Sequence, residues 1–315
     1  MSLQLVTGGA GFIGSHLAAR LLRDGHNVRV LDNLSTGRRS NLDFLQSAGG
    51  SRFEFLEGDI RDRDTCRKAS EGVEFVFHQA ALASVQRSIE NPEDSTAVNV
   101  TGTVNILAAA RDRGARRVVA ASSSSVYGDT PTLPKHEEMP LAPKSPYAAS
   151  KLAGEQFMRV FALSLGLETV SLRYFNVFGP RQDPNSQYAA VIPLFITALL
   201  AGQRPVVFGD GTQSRDFTYI DNVVEANLAA SKSPDASGEA INVACGERYS
   251  LLDLLGALGT IIGKKADPEL RPPRVGDVLH SQAAIDKARR LLAFKPGIGF
   301  EEGLRRTVEN FRGGN

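Results

Sequence analysis

The sequence predicts a doubly wound α/β fold, a parallel sheet covered by helices on both faces, joined to a smaller mixed α/β lobe towards the C-terminus. Three observations predict it. Short β-type runs alternate with helical patterns from Leu3 to about Arg173, which is the βαβ rhythm of a parallel sheet. The runs are continuously apolar, as in Val28, Val30 and Leu31 or Val118, Val119 and Ala120, and so suit strands buried on two faces. Finally, the first run leads through a glycine-rich turn directly into an apolar helical pattern.

Taken in order, strands are expected at Leu3–Thr7, Asn27–Leu31, Phe53–Leu56, Val73–His78, Arg116–Ala121 and Glu168–Arg173, with helices at Phe12–Asp24, Ala97–Arg113 and Tyr147–Gly166. After Arg173 the rhythm breaks. Pro180, Pro184, Pro193, Pro205, Pro234, Pro268, Pro272 and Pro273 interrupt shorter elements, and helices stand out only at Val191–Ala201, Asp221–Lys232, Leu251–Ile262 and Phe300–Asn310. The expected division is therefore a dinucleotide-binding domain over 1–173, rejoined by about 216–243, with a substrate lobe formed from 174–215 and 244–315.

Composition narrows the function classes. The 315 residues carry 36 Lys and Arg against 35 Asp and Glu, so a formal net charge of +1 argues against recognition of nucleic acid or membrane by bulk charge. The two cysteines, Cys66 and Cys245, lie far apart in unrelated contexts and suggest neither a disulfide framework nor a metal site. With no export signal and no apolar run of membrane-spanning length, a cytoplasmic location is expected.

The turn after the first strand reads Thr7-Gly8-Gly9-Ala10-Gly11-Phe12-Ile13-Gly14. Glycines at that spacing let the backbone approach a pyrophosphate, and the following helix presents its free N–H groups to the anion. The second strand ends in Asp32, 18 positions after Gly14, where an acid can hold a ribose 2′-hydroxyl and repel a 2′-phosphate. NAD is thus expected rather than NADP. Arg38 and Arg39, after Ser35-Thr36-Gly37, read either as a solvated basic turn or as a clamp for that phosphate. Asp59, in Gly58-Asp59-Ile60, reads either as an adenine-side residue or as the N-cap of a helix beginning near Arg63.

Ser122-Ser123-Ser124-Ser125-Val126-Tyr127-Gly128 stands at the end of an apolar strand, and Tyr147-Ala148-Ala149-Ser150-Lys151 opens a helix. The Y-x-x-x-K spacing puts a phenol and an ammonium one turn apart on one face. An ammonium about 6 Å from the phenol, at an effective dielectric near 20, would favour the phenolate by roughly 2.8 kcal/mol, or about two pKa units. A positively charged nicotinamide ring would add to that effect, making Tyr147 a usable general base.

With these residues assembled, the chain resembles the extended short-chain dehydrogenase/reductases, in the branch of nucleotide-sugar epimerases and dehydratases. The resemblance implies a Rossmann domain in which Gly8, Gly11, Phe12, Ile13, Asp32, Asn33, Ser35, Thr36, Gly37, Asp59, Ile60, Gln79, Ala80, Ala81, Asn99 and Tyr174 serve the cofactor together with Tyr147 and Lys151. His78, in His78-Gln79-Ala80-Ala81, matches a structural rather than a catalytic position. Ser123, Tyr147 and Lys151 match the catalytic Ser/Thr, Tyr and Lys.

By the same resemblance, dehydratases carry Asp-Glu after the catalytic Ser/Thr and decarboxylases a Glu at the second position; here Ser124 and Ser125 stand there, which favours redox epimerisation. Asn176, Arg215, Arg274 and Asp277 match residues that hold a nucleoside diphosphate. Ser124, Ser125 and Gln182 are implied to line an N-acetyl pocket, and Ser281 matches a position that is bulky in enzymes restricted to plain hexoses. The stretch from Gln182 through Tyr188 to Pro193 likewise resembles UDP-N-acetylglucosamine 4-epimerases. The implied function is NAD-dependent 4-epimerisation of a UDP-hexose, UDP-GlcNAc/UDP-GalNAc with or without UDP-Glc/UDP-Gal, in a homodimer. The alternatives are a UDP-glucuronate 4-epimerase, a dehydratase or decarboxylase, and, more remotely, a non-catalytic NAD-sensing regulator. UDP-glucuronate enzymes usually carry Thr where Asn176 stands and Arg where Asp183 stands, and so rank lower.

Overall fold

A computed structural model describes residues 2–184, 190–273 and 279–313. The first half runs β1 (Leu3–Thr7), α1 (Phe12–Arg23), β2 (Asn27–Asp32), α2 (Arg39–Gly49), β3 (Phe53–Glu57), α3 (Arg63–Ala69), β4 (Val73–His78), α4 (Val85–Glu90), α5 (Pro92–Thr96), α6 (Thr103–Asp112), β5 (Arg117–Ser123), α7 (Pro146–Ser164) and β6 (Glu168–Tyr174). Shorter elements follow: β7 (Val177–Phe178), α8 (Val191–Leu200), β8 (Val206–Phe208), β9 (Ser214–Arg215), β10 (Thr218–Tyr219), α9 (Ile220–Lys232), β11 (Glu239–Val243), β12 (Tyr249–Ser250), α10 (Leu251–Ile262), β13 (Glu269–Arg271), α11 (Asp286–Leu292) and α12 (Phe300–Arg312).

Seven strands form one sheet in the order β11-β6-β5-β4-β1-β2-β3, every neighbouring pair parallel. Consecutive strand residues point to opposite faces, which explains their unbroken apolarity. Val6, Val30, Phe77 and Val119 pack with α1, α2 and α9 on one side, while Leu5, Leu31, Val76 and Val118 pack with α3, α6 and α7 on the other. Burying each such side chain stabilises the fold by roughly 1.5–3 kcal/mol. The first apolar cluster continues without a break into α8, α10 and α12 through Phe195, Leu254 and Leu304. Tyr249 stacks on Phe300 at 4.0 Å between ring centres, fastening β12 to α12.

Three local expectations are corrected. The segment expected as one helix over Ala97–Arg113 opens with a π-helical turn, Ala97–Gly102, entered from α5, before α6 becomes regular. Helix α2 was not expected. It begins at Arg39 with an extended Arg38 that contributes no side-chain cap, so the sequence carries no start signal there. The strand expected to stop at Ala121 continues to Ser123, making that serine the last residue of β5.

Candidate active site

Strand order reverses between β1 and β4, and an open α/β sheet binds ligands in the crevice this leaves at its carboxyl edge. The crevice is lined by Gly8, Gly11, Phe12, Ile13, Asp32, Asn33, Ser35, Thr36, Asp59, Ile60, Gln79, Ala80 and Ala81, all sequence-expected cofactor residues. It also takes in Gly58, Leu82, Ala83 and Val98, which sequence reasoning did not single out. Gly8 has φ +69°, and a Cβ on Gly14 would lie 2.2 Å from the Gly8 carbonyl oxygen, so the turn admits no side chain at either position.

The crevice suits a dinucleotide. The first turn of α1 has neither a side-chain cap at Gly11 nor an acidic residue, which leaves its N–H groups for an anion. Asp32 accepts one backbone N–H on each oxygen, from Ala10 at 3.0 Å and from Leu34 at 2.8 Å, and keeps further lone pairs for hydroxyl donors. Burial holds its carboxyl above the ordinary range, the two N–H bonds offsetting part of the rise. Leu31, Ile60, Leu82 and Val98 supply apolar walls. Both arginines after the ribose turn face carboxylates, Arg38 with Asp183 and Arg39 with Glu57, an arrangement that fits NAD better than a 2′-phosphate clamp.

Several expected residues act from behind the wall. Gly37 packs against Asp32: a Cβ there would lie 2.9 Å from Oδ1. The Tyr174 hydroxyl donates to Gln79 Oε1 at 3.3 Å and receives Asn227 Nδ2 at 2.8 Å, so Tyr174 aims Gln79 rather than forming the surface itself. Asn99, in the π-helical turn, accepts Leu82 N–H at 2.8 Å and donates to Ser150 Oγ at 3.0 Å, tying the crevice to α7. His78 meets Thr7 and Thr103 hydroxyls at 2.7 and 2.9 Å, and burial together with the Lys151 charge pushes it down to about 3, so it is a neutral brace. Asp59 lines the crevice and receives Asn33 Nδ2 at 2.8 Å; the N-cap of α3 is Asp62, which removes the capping alternative for Asp59.

The catalytic candidates meet where β5 ends against α7. Ser145 caps α7 by accepting Ala148 N–H at 3.1 Å, and Pro146 occupies the first helical turn, which places Tyr147 at the sheet edge. Ser88, unmarked in the sequence, accepts the Tyr147 N–H at 3.0 Å. Tyr147 hydrogen-bonds to Ser123, whose Oγ receives the Ser125 hydroxyl at 2.9 Å. One turn on, Lys151 Nζ donates to the Ala121 carbonyl at 2.8 Å. The electrostatics correct the sequence expectation. Burial raises the Tyr147 phenol above its ordinary value, only partly opposed by Ser123, and pushes Lys151 down to about 8. Burial therefore sets the direction of both shifts.

The sugar-side candidates are joined by short strand pairings. Asn176, with φ +29°, follows β6 and accepts Thr218 N–H at 3.2 Å. Arg215 donates to the carbonyls of Ser214 and Leu279, both at 3.0 Å, and buried Ser281 bonds Ser214 through its own N–H. Gln182 Nε2 reaches the Val177 carbonyl at 3.3 Å, while its buried Oε1 has no hydrogen-bond partner among the described residues. Arg274, Asp277 and Tyr188 lie outside the described residues.

Among known proteins, the NAD dependent epimerase/dehydratase family matches residues 4–244. A UDP-glucose 4-epimerase of Mycolicibacterium smegmatis is 43% identical over 310 residues, covering 98% of each chain. A solved UDP-N-acetylglucosamine 4-epimerase from Methanobrevibacter ruminantium, in complex with UDP-N-acetylmuramic acid, superposes with a TM-score of 0.94 at 40% identity, covering 99% of this chain and 98% of that one. The UDP-glucose 4-epimerase of Thermus thermophilus, complexed with NAD, gives a TM-score of 0.88 at 39% identity over 99% of this chain and 100% of that one.

Proposed function

The chain belongs to the NAD-dependent epimerase/dehydratase family, and from that premise we propose that it inverts C4 of a UDP-hexose, with UDP-GlcNAc and UDP-GalNAc as its preferred pair. The observation that carries this reading is the meeting of Ser123, Tyr147 and Lys151 beside the dinucleotide crevice, with hydroxyls of Ser124 and Ser125 where elimination would need carboxylates.

NAD, when bound, would take hydride from C4 of the sugar and return it to the other face. Gly8, Gly11, Asp32 and Asn33 would hold its pyrophosphate and ribose, and Ile60, Leu82 and Val98 its adenine side. Tyr147, acting as the phenolate that the Lys151 charge favours, takes the proton from the 4-hydroxyl as C4 is oxidised and becomes the neutral phenol. Ser123 holds the same oxygen, and Lys151 favours negative charge on the phenol. On return, Tyr147 gives the proton back after the 4-keto hexose has turned about its diphosphate. Arg215, Arg274, Asp277 and Asn176 are proposed to keep the nucleotide fixed through that turn, with Gln182, Ser124, Ser125 and Ser281 framing the N-acetyl group.

The uronate alternative ranks lower because Asn176 and Asp183 stand where such enzymes usually carry Thr and Arg, and Asp183 is here paired with Arg38. The proposed lobes are 1–173 with 216–243, and 174–215 with 244–315. A homodimer through α6 and α7 is proposed, and α7 and its C-terminal end expose the apolar residues Phe157, Val160, Leu163 and Leu165. No helix among the described residues is long and apolar enough to cross a membrane, and a cytoplasmic location is proposed.

The test is UDP-GlcNAc deuterated at C4. The galacto product should keep deuterium at C4, because the same hydride is returned; loss of the label to solvent would overturn the reading.

A further inference from the structure

The mechanism leaves one buried charged group beside the reacting residues unused. Glu155 lies one turn after Lys151 on α7, and its side chain is 4% exposed. It is held from two strands. Ser122, the neighbour of Ser123 at the end of β5, donates its hydroxyl to Oε1. Arg173, at the end of β6, binds both oxygens in a fork, Nε to Oε1 at 2.9 Å and Nη2 to Oε2 at 2.8 Å. Arg173 is fixed in turn by the Tyr127 hydroxyl at 2.9 Å and by the Tyr127 ring, 4.9 Å from the guanidinium. Lys151, Glu155, Ser122 and His78 line one small cavity.

We propose that Glu155 is a positioning residue of the reaction: its carboxylate keeps the Lys151 ammonium charged and fixes the Ser122–Ser123 strand end against Tyr147. The part concerning turnover rests on the epimerase reading; the part concerning the charge of Lys151 does not. A buried ion pair is weak support for stability by itself, so the arrangement calls for another reason. Lys151 needs one, because burial alone drives it towards neutrality and Glu155 is the charge that opposes this. The other groups facing Lys151 offer no substitute. Tyr147 on α7 is neutral at pH 7, His78 on β4 is neutral, and β5 presents only the Ala121 carbonyl and serine hydroxyls. Arg173 on β6 carries the wrong sign, so among these groups only Glu155 supplies negative charge.

The experiment titrates Lys151 in the folded protein by NMR of lysines labelled with ¹³C at Cε, the signal assigned with Lys151→Arg. The wild-type midpoint should lie near 8. Glu155→Gln should lower it by about one pH unit or more, whereas Glu155→Asp, which keeps the charge, should return most of that shift. Because Glu155→Gln strands Arg173, the double variant Glu155→Gln/Arg173→Gln, which buries two amides instead, serves as the folded alternative and should show a lowering in the same direction but smaller, since the Arg173 cation is removed as well. In turnover, the alkaline limb of kcat should move with the midpoint while KM stays nearly constant. An unchanged Lys151 midpoint in a folded Glu155→Gln or double variant, or a Glu155→Asp midpoint as low as that of Glu155→Gln, overturns the proposal. Absence of epimerase activity in the wild type would instead overturn the functional reading and leave the titration result standing.

Discussion

The dinucleotide crevice and the proposed sugar side are built on different principles. At the cofactor end, most of the wall comes from the turns that directly follow β1, β2, β3 and β4, and the sheet itself sets their spacing. At the sugar end, Asn176, Arg215 and Ser281 come from distant segments joined by pairings of only two residues, such as β7 with β10 and β9 with β12. The first is a rigid socket. On the proposed function, the second would hold the nucleotide while leaving room for a hexose to turn, which is what returning hydride to the opposite face demands.

The largest expected effect falls where the two ends meet. Tyr147→Phe should lower kcat by about 10²–10⁴-fold, the usual range for loss of a general base, with UDP-sugar affinity by calorimetry unchanged. A variant that stays near wild-type turnover would break the assignment. At the socket, Gly14→Ala drives a Cβ to 2.2 Å from the Gly8 carbonyl oxygen. It should reduce stability by about 1–3 kcal/mol and leave the purified protein without bound NAD, as read by thermal unfolding and by cofactor analysis. At the sugar end, Ser281→Tyr should spare UDP-Glc and lower kcat/KM for UDP-GlcNAc by about tenfold or more. Equal loss on both sugars would show that position 281 scaffolds the lobe instead of sizing the pocket.

The smallest effect sharpens the view of the socket as pre-formed. Hydrogen bonds from Arg61, with smaller help from Asn33, hold the Asp59 carboxyl at about 2. A depressed carboxyl contributes its full stability above the unfolded value and loses it as pH falls through the folded one. Asp59 is about a quarter exposed, so the contribution is about 1 kcal/mol or less. Urea unfolding between pH 5 and pH 2 should therefore weaken slightly less in Asp59→Asn than in wild type.

The contrast between the two ends also explains what could be read from residues alone. Gly8, Gly11, Asp32 and the Tyr147–Lys151 pair are defined by short-range spacing around strands and helices, and the sheet places them as that spacing requires. Helix α2 was illegible for want of a capping side chain, and the π-helical turn at Ala97–Gly102 for want of any periodic mark. Two-residue strands carry no periodicity at all. Glu155 was missed although a signal existed, an acidic residue four positions after Lys151 on the buried face of α7. The depressed Lys151 and raised Tyr147 were beyond reach, because pairwise charge arithmetic omits the desolvation that only packing reveals.

The most direct test of the central claim incubates the purified protein with UDP-GlcNAc and, separately, with UDP-Glc, without added cofactor, and resolves the products by NMR. A self-contained 4-epimerase should form UDP-GalNAc and UDP-Gal with no net NADH, and faster on the N-acetylated sugar. No change in either sugar, or conversion only with NAD consumed in proportion to product, would contradict the account.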